Sequence, residues 1–270
     1  MAPAGSIEQS AAAAAQGSTM KKIAAVGLLA FGVVHVLVGM LALSIAWSGG
    51  GDEASPSGAF TKLAEQPFGT ALLWVSAVGL VGLAIWQASE AIWGYRDKEG
   101  AARGAKQVAA GAKAVGFLVL AFAAARIAMG GGSAGGETEE SVTARLLGAP
   151  AGQFLVGAVG IAIVGVGGYL LHRGATKAFA KHLGGHANPT AVRLGQIGHV
   201  AKGVAYGIIG VLVVTAAVTH NPEESGGLDE ALTKLRDQPY GQWLLTAVAL
   251  GFIAYGLYAF VWARQMNDES

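Results

Sequence analysis

Long apolar runs broken by short polar stretches dominate the chain. Six runs are long enough to cross the roughly 30 Å hydrocarbon core of a bilayer as helices of about 20 residues. They cover approximately Ile23–Trp47, Gly69–Gly94, Val108–Met129, Gly152–Leu171, Val200–Thr219 and Gln242–Ala263. Between Lys22 and Asp52 the only ionisable group is His35, and Gly69–Ser89 contains none. The third run is the most interrupted, by Lys113 and Arg126, whose long side chains reach the headgroups from either end. The runs are continuous rather than alternating with period two, which selects helices over the strands of a barrel. The predicted fold is all-α: a polytopic membrane protein with six transmembrane helices.

The polar stretches repeat. TKLAEQPFG (Thr61–Gly69) aligns without a gap with TKLRDQPYG (Thr233–Gly241), and ARLLGAPAG (Ala144–Gly152) is a degenerate middle copy. Each holds a short amphipathic stretch, then Pro-x-Gly, then an apolar run. Proline fits the first turn of a helix, where its missing N–H costs nothing. Pro67, Pro150 and Pro239 are therefore expected to start the second, fourth and sixth helices, with Gly69, Gly152 and Gly241 just inside. The preceding runs align as well: AFGVVHVLVG (Ala30–Gly39), AVGFLVLAFA (Ala114–Ala123) and AYGIIGVLVV (Ala205–Val214) share Gly32, Gly116 and Gly207. This organises the chain as three tandem helical hairpins, residues 20–100, 101–185 and 190–264, with an expected disordered tail at 1–19 and a C-terminal tail at 265–270.

The second helix of each hairpin carries an aromatic nineteen residues after its proline: Trp86, Tyr169 and Tyr258. That offset is about 28 Å of helix and puts the rings at the inner interface, where amphipathic aromatics are enriched. Small residues lie upstream at helical spacing (Gly82 and Gly79, Gly165 and Ala162, Ala254 and Gly251) and permit close helix contact.

This threefold pattern resembles the domain of unknown function 1206 family, bacterial membrane proteins built from three copies of a paired-helix unit. The resemblance covers roughly residues 20–264 and is strongest in the first and third copies. RLGQIGHVAKGVAYGIIG (Arg193–Gly210) is similar to the family's lead into its first helix. The middle copy departs, with Ala149 where the others have Gln66 and Gln238. The resemblance implies a paired-helix architecture in a bacterial membrane and no activity.

Composition narrows the picture. The chain is 53% hydrophobic and 13% charged, against about 25% charged for an average soluble domain. A net charge of +1 gives no footprint for nucleic acid, and the lack of cysteine excludes a disulfide scaffold. Basic residues gather on alternate connections: Lys21 and Lys22, then Arg96, Lys98, Arg103, Lys106 and Lys113, then Arg173, Lys177, Lys181, Arg193 and Lys202, then Arg264. The opposite connections hold Lys62, Arg145, Lys234 and Arg236 among acids such as Glu53, Glu140 and Asp229. Lys and Arg accumulate on cytoplasmic loops, so a multi-pass plasma-membrane protein with both termini cytoplasmic is expected.

Four ionisable residues within or beside the runs are candidate intramembrane polar sites. His35 shares a helix face with Gly32 and Gly39 and is expected to point into the bundle, either hydrogen-bonded to a neighbour or serving a proton or ligand. Glu90 and Lys113 fall near the inner edge on neighbouring helices and are proposed to meet, since a buried charge needs a partner. Arg126 is expected to snorkel outward. His172, His182, His186 and His199 are placed at or beyond the cytoplasmic edge and His220 at the outer one, which gives no facing pair for a haem. His172–Pro189 reads as a basic, headgroup-facing loop. No phosphate loop, nucleophile elbow or HExxH motif occurs. The expectation is a non-enzyme with no catalytic, cofactor or metal residues, in contact with the lipid bilayer and a membrane-protein partner. The sparse buried charge and acidic outer loops favour a non-enzymatic accessory or structural component of a membrane complex. The alternative is a transporter or channel-like carrier for a small or lipidic solute, since many transporters are internal duplications.

Overall fold

A computed structural model describes residues 18–48, 53–96, 99–132, 135–180 and 188–268, and the tail at 1–17 and the segment 181–187 that holds His182 and His186 fall outside these. The described residues form α1 (Ser18–Ser48), α2 (Pro56–Ala64), α3 (Gly69–Trp93), α4 (Gly100–Ala128), α5 (Gly135–Leu147), α6 (Gly152–Ala175), α7 (Pro189–Thr219), α8 (Leu228–Arg236) and α9 (Gly241–Asp268), with a 3-10 turn at Pro222–Glu224. No strand occurs among the described residues. Segments of α1, α3, α4, α6, α7 and α9 are long and apolar enough to cross a membrane, so the chain is an all-helical polytopic membrane protein. Hydroxyls inside these helices bond back to their own helix, as Ser76 Oγ does to Leu72 O (2.8 Å) and Thr246 Oγ1 to Gln242 O (2.7 Å). Their polarity is thereby satisfied where lipid offers no partner.

Two helices begin well before their apolar runs. α7 starts at Pro189, eleven residues ahead of the predicted Val200. Its start is fixed locally: the Asn188 side chain accepts from Thr190 N (2.9 Å), and Pro189 takes the first position. α4 likewise begins at Gly100 rather than Val108.

Pro67, Pro150 and Pro239 do not start helices. In each of these turns the chain reverses over Pro-x-Gly, and the middle residue is left-handed: Phe68 (φ 63°), Ala151 (φ 59°) and Tyr240 (φ 62°). The following glycine opens the helix, with its N–H bonded to Gln66 O (2.8 Å), Ala149 O (2.9 Å) or Gln238 O (2.7 Å). A Cβ on Gly69, Gly152 or Gly241 would lie 1.9, 1.7 or 2.0 Å from a backbone carbonyl oxygen of the preceding short helix. Glycine is required there because backbone meets backbone.

The chain divides into two packed units. The first comprises residues up to Phe31, Leu63–Gly131 and the chain from Ala259. Within it α1 touches α3 at Gly27, where a Cβ would stand 2.1 Å from Gly79 O. Leu28, Ala259 and Ala263 form a core with Phe31 and Trp262 against it, and Phe31 meets Phe117 edge-on at 5.5 Å. α3 and α4 pack along their length in this unit.

The second unit comprises Gly32–Lys62 and Gly132–Tyr258. Here α6 and α7 close on a glycine seam. A Cβ on Gly160 would meet Val214 N at 2.8 Å, one on Gly167 would meet Gly207 N at 2.8 Å, and one on Gly174 would meet Gln196 O at 3.1 Å. α1 and α9 pack as closely, with Gly39 against Ala249 O and Gly256 against Gly32 O. Small residues at such contacts let helix backbones approach where lipid gives no hydrophobic drive between helices.

Within this unit the short helices α2 and α8 and the residues before them join the first and third repeats. Phe60 and Leu232 are fully buried, and the Ala54 N–H donates to Asp229 Oδ1 (2.6 Å). Burial is the main cause raising the Asp229 carboxyl above the ordinary carboxylate range; Glu53 and Glu230 add to it and the Ala54 N–H opposes it. Such a carboxyl holds its proton more tightly folded than unfolded. Stability therefore falls as pH rises from the ordinary carboxylate range through the raised value, and stays lowered above it. Asp229→Asn keeps an acceptor for Ala54 and removes this titration, so its melting temperature should lose that pH dependence in acid thermal scans. Asp229→Ala strands the buried Ala54 N–H and should cost about 1–3 kcal/mol at any pH.

Candidate functional site

α7 carries a buried stripe at helical spacing: Ala191, Gly195, Gly198, Lys202 and Ala205, with His199 beside it. Its glycines admit aromatic rings. A Cβ on Gly195 would lie 2.4 Å from the Phe179 ring and 2.8 Å from the Tyr258 ring, and one on Gly198 would lie 2.6 Å from Tyr255 Cβ. α9 supplies Phe252, Tyr255 and Tyr258, α1 supplies His35, and Phe179 precedes α7. All of these residues belong to the second unit.

His199 is 3% exposed. Its Nδ1 lies 2.6 Å from Gly195 O. A carbonyl only accepts, so Nδ1 donates and carries the proton. The ring stacks on Phe179 (4.6 Å between centroids, 14°) and stands edge-on to Tyr258 (5.7 Å, 72°) and Tyr255 (5.2 Å, 66°). Tyr258 is 1% exposed and crosses Phe179 at 85°.

Lys202 and His35 are each 8% exposed. Lys202 Nζ lies 3.0 Å from His35 Nε2 and 4.1 Å from the centre of the Tyr255 ring. An ammonium over a ring face is attracted by the ring quadrupole. As an ammonium, Lys202 donates to Nε2, which leaves the ring proton of a neutral His35 on Nδ1. The imidazole packs against Tyr255 (4.9 Å) and Phe252 (5.9 Å, 20°). Arg173 of α6 and Tyr206 of α7 lie near enough to Tyr255 to act on it electrostatically. His35, Lys202 and Tyr255 each fall close to the midpoint of their candidate span, Ala25–Ser48, Pro189–Thr219 and Gly241–Gln265 respectively. The cluster thus joins an ammonium, two imidazoles and two phenols inside the spanning helices. These groups can hold and pass protons, and they can donate hydrogen bonds to an acceptor or anion.

Two expectations are corrected here. Lys202 is not a loop residue, because α7 extends back to Pro189 and turns its side chain, with that of His199, onto a buried stripe. Tyr258 is not a lipid-facing belt residue, because Gly195 leaves room for its ring in the core. The repeat-equivalent aromatics differ: Trp86 is half-buried and Tyr169 is exposed. Residues Lys202, His199, Tyr255 and Phe179 were missed as site members. The stripe of Gly195, Gly198 and Lys202 was the available signal.

Glu90, Lys113 and Arg126 belong to the first unit. Glu90 is half-buried on α3, and Lys113 is on α4, which packs on α3. Arg126 is exposed at the end of α4, beside Gly131. Gly32 contacts α9 and Gly207 contacts α6, whereas a Cβ on Gly116 would meet nothing within 4 Å. Pro67, Pro150 and Pro239 occupy the Pro-x-Gly turns. His172 is exposed near the end of α6, and His220 ends α7 with a left-handed backbone (φ 58°). Among the described residues no three His, Asp or Glu side chains gather to hold a metal ion.

The family model described as Domain of Unknown Function (DUF1206) matches the chain three times, at residues 26–94, 108–177 and 197–265. Each match holds one pair of spanning helices. The chain is also similar to the Uncharacterized protein YxxB of Bacillus subtilis (strain 168), with 32% identity over 249 residues, 89% of each chain. No solved structure matches it.

Proposed function

For a chain that belongs to the family described as Domain of Unknown Function (DUF1206), we propose a transport role: passage of a small solute across the plasma membrane, without covalent catalysis, centred on Lys202, His35 and Tyr255. The observation that supports it is Lys202 Nζ at 3.0 Å from His35 Nε2, near the midpoints of two spanning segments. A helix bundle built only for support gains nothing from a buried lysine, since apolar replacements of buried charges are often neutral or stabilising. Intramembrane ionisable groups are typical of solute and ion pathways. The accessory reading drew on sparse buried charge, and Lys202 and His199 beside His35 weaken that ground.

The test is mild extraction of the tagged full chain followed by native mass spectrometry. A defined small molecule retained by the wild type and lost from Lys202→Met is expected. A stoichiometric protein partner with no retained small molecule would overturn transport in favour of the accessory role.

We further propose cytoplasmic termini, supported by the basic residues on the connections α3–α4 and α6–α7. The chain has no cysteine, so single ones label without background. Glu223 and Ala178 are exposed on opposite connections. In intact cells an impermeant thiol reagent should modify Glu223→Cys and spare Ala178→Cys; the opposite pattern would invert the orientation.

A further inference from the structure

We infer that Lys202 and His35 form an intramembrane proton site, the coupling-ion site of the transport role proposed above, on which this inference rests. The two nitrogens are 3.0 Å apart, Lys202 Nζ is 4.1 Å from the Tyr255 ring centre, and the His35 ring is 4.9 Å from it. A proton is the one ligand that enters so close a contact without displacing a side chain. Lys202 and His35 are also each 8% exposed, so the bond lies out of bulk water.

The proton balance follows from the donor inventory. In one state Lys202 is an ammonium that donates to Nε2 of a neutral His35 carrying its proton on Nδ1. As the proton crosses, an Nζ–H bond breaks, an Nε2–H bond forms, and the positive charge passes to the imidazolium. Lys202 is left an amine with a lone pair. Release of the Nδ1 proton to a water molecule, as hydronium, then leaves His35 neutral with its proton on Nε2, and the Lys202 amine takes a new proton from hydronium on its own side, so a proton taken at one edge of the ring has left from the other. No oxidant, reductant or further reactant is consumed. A second proton on the pair would set two cations face to face at 3.0 Å. In a low-dielectric interior that repulsion is relieved by parting α1 from α7, which links proton occupancy to helix movement.

α9 presents the Tyr255 face to Lys202, and Tyr258 lies beside Tyr255 at 5.8 Å. α7 adds His199, whose Nδ1 proton is engaged by Gly195 O, and Tyr206. α6 contributes Arg173, whose charge acts on Tyr255. The Phe179 ring, which carries no charge, stacks on His199.

The test is NMR of the ring nitrogens in the full chain, labelled at histidine and held in lipid nanodiscs, as pH is lowered from about 8 to about 5. His35 is identified by the signals lost in His35→Gln. In the wild type at neutral pH, Nε2 of His35 should be unprotonated and hydrogen-bonded, with the proton on Nδ1. In Lys202→Met its titration midpoint should move by about one pH unit or more, as for coupled groups. An unchanged midpoint overturns the proton site. So does a wild-type His35 with its proton on Nε2 at neutral pH, a reading that stands even where Lys202→Met fails to fold. The two failures are distinguishable. A coupled titration in a chain that extracts with a stoichiometric protein partner keeps the site and removes transport. An uncoupled His35 in a chain that retains a small molecule removes the site and keeps transport.

Discussion

Gly167→Val is expected to cost about 3 kcal/mol or more and to leave little folded chain after detergent extraction. The added Cβ would lie 2.8 Å from Gly207 N and 2.9 Å from Gly203 O, so the obstruction is backbone, and no rotamer change relieves it. α6 and α7 would have to separate along a seam that also holds Gly160 and Gly174. The adjacent Gly168 is exposed, and a Cβ there meets nothing within 4 Å. Gly168→Val should therefore stay within about 1 kcal/mol of the wild type, mostly through helix propensity. Melting temperatures of the two variants in the same detergent make the comparison, and equal losses would refute the seam.

The second large effect is at the Pro-x-Gly turns. Gly69→Ala, Gly152→Ala and Gly241→Ala should each destabilise by about 3 kcal/mol. A single methyl would stand 1.7–2.0 Å from a carbonyl oxygen in each turn. Gly148→Ala is the control: its Cβ would reach Ala144 O at 3.5 Å, an ordinary contact. Tyr240→Gly should stabilise by about 1 kcal/mol, because Tyr240 holds a left-handed backbone (φ 62°) with an exposed side chain. Thermal melts of these five variants check the turn. A tolerated Gly241→Ala would mean that the turn rearranges freely and that its threefold recurrence has another origin.

The same turns mark what the sequence made legible. Pro-x-Gly recurs three times, and its recurrence located three helix starts. The role of each residue was not legible. Proline at a helix start is a local preference, whereas the observed turn depends on a left-handed residue between proline and glycine and on the carbonyl behind the glycine. Neither is visible without the preceding short helix in place.

Hydropathy found six spanning helices and misplaced the start of α7. It reports compatibility with lipid, and the stretch from Arg193 to Lys202 has little. Asn188, Pro189 and Thr190 start the helix there, and Lys202 is satisfied by His35 of α1 instead of water. Lys202 was counted with the loop cations because the positive-inside rule weighs charge and ignores helix faces. The cluster itself was illegible because its members are distant in the chain. His35 and Lys202 are 167 residues apart, and only the packing of α1, α7 and α9 joins them.

For the proton site proposed above, the place of Lys202 near the middle of its candidate span has an electrical consequence. A charge near the middle of a bilayer lies about halfway down the transmembrane voltage. For 100 mV that is about 1.2 kcal/mol per elementary charge, close to a tenfold change in occupancy. In an energised cell, with the cytoplasm negative, a proton arriving at His35 from outside is drawn inward by the field, and one arriving from the cytoplasm is opposed. The pair would then sense voltage as well as acidity. The same chain in nanodiscs, where no voltage exists, holds its proton as though bathed in a solution of different pH.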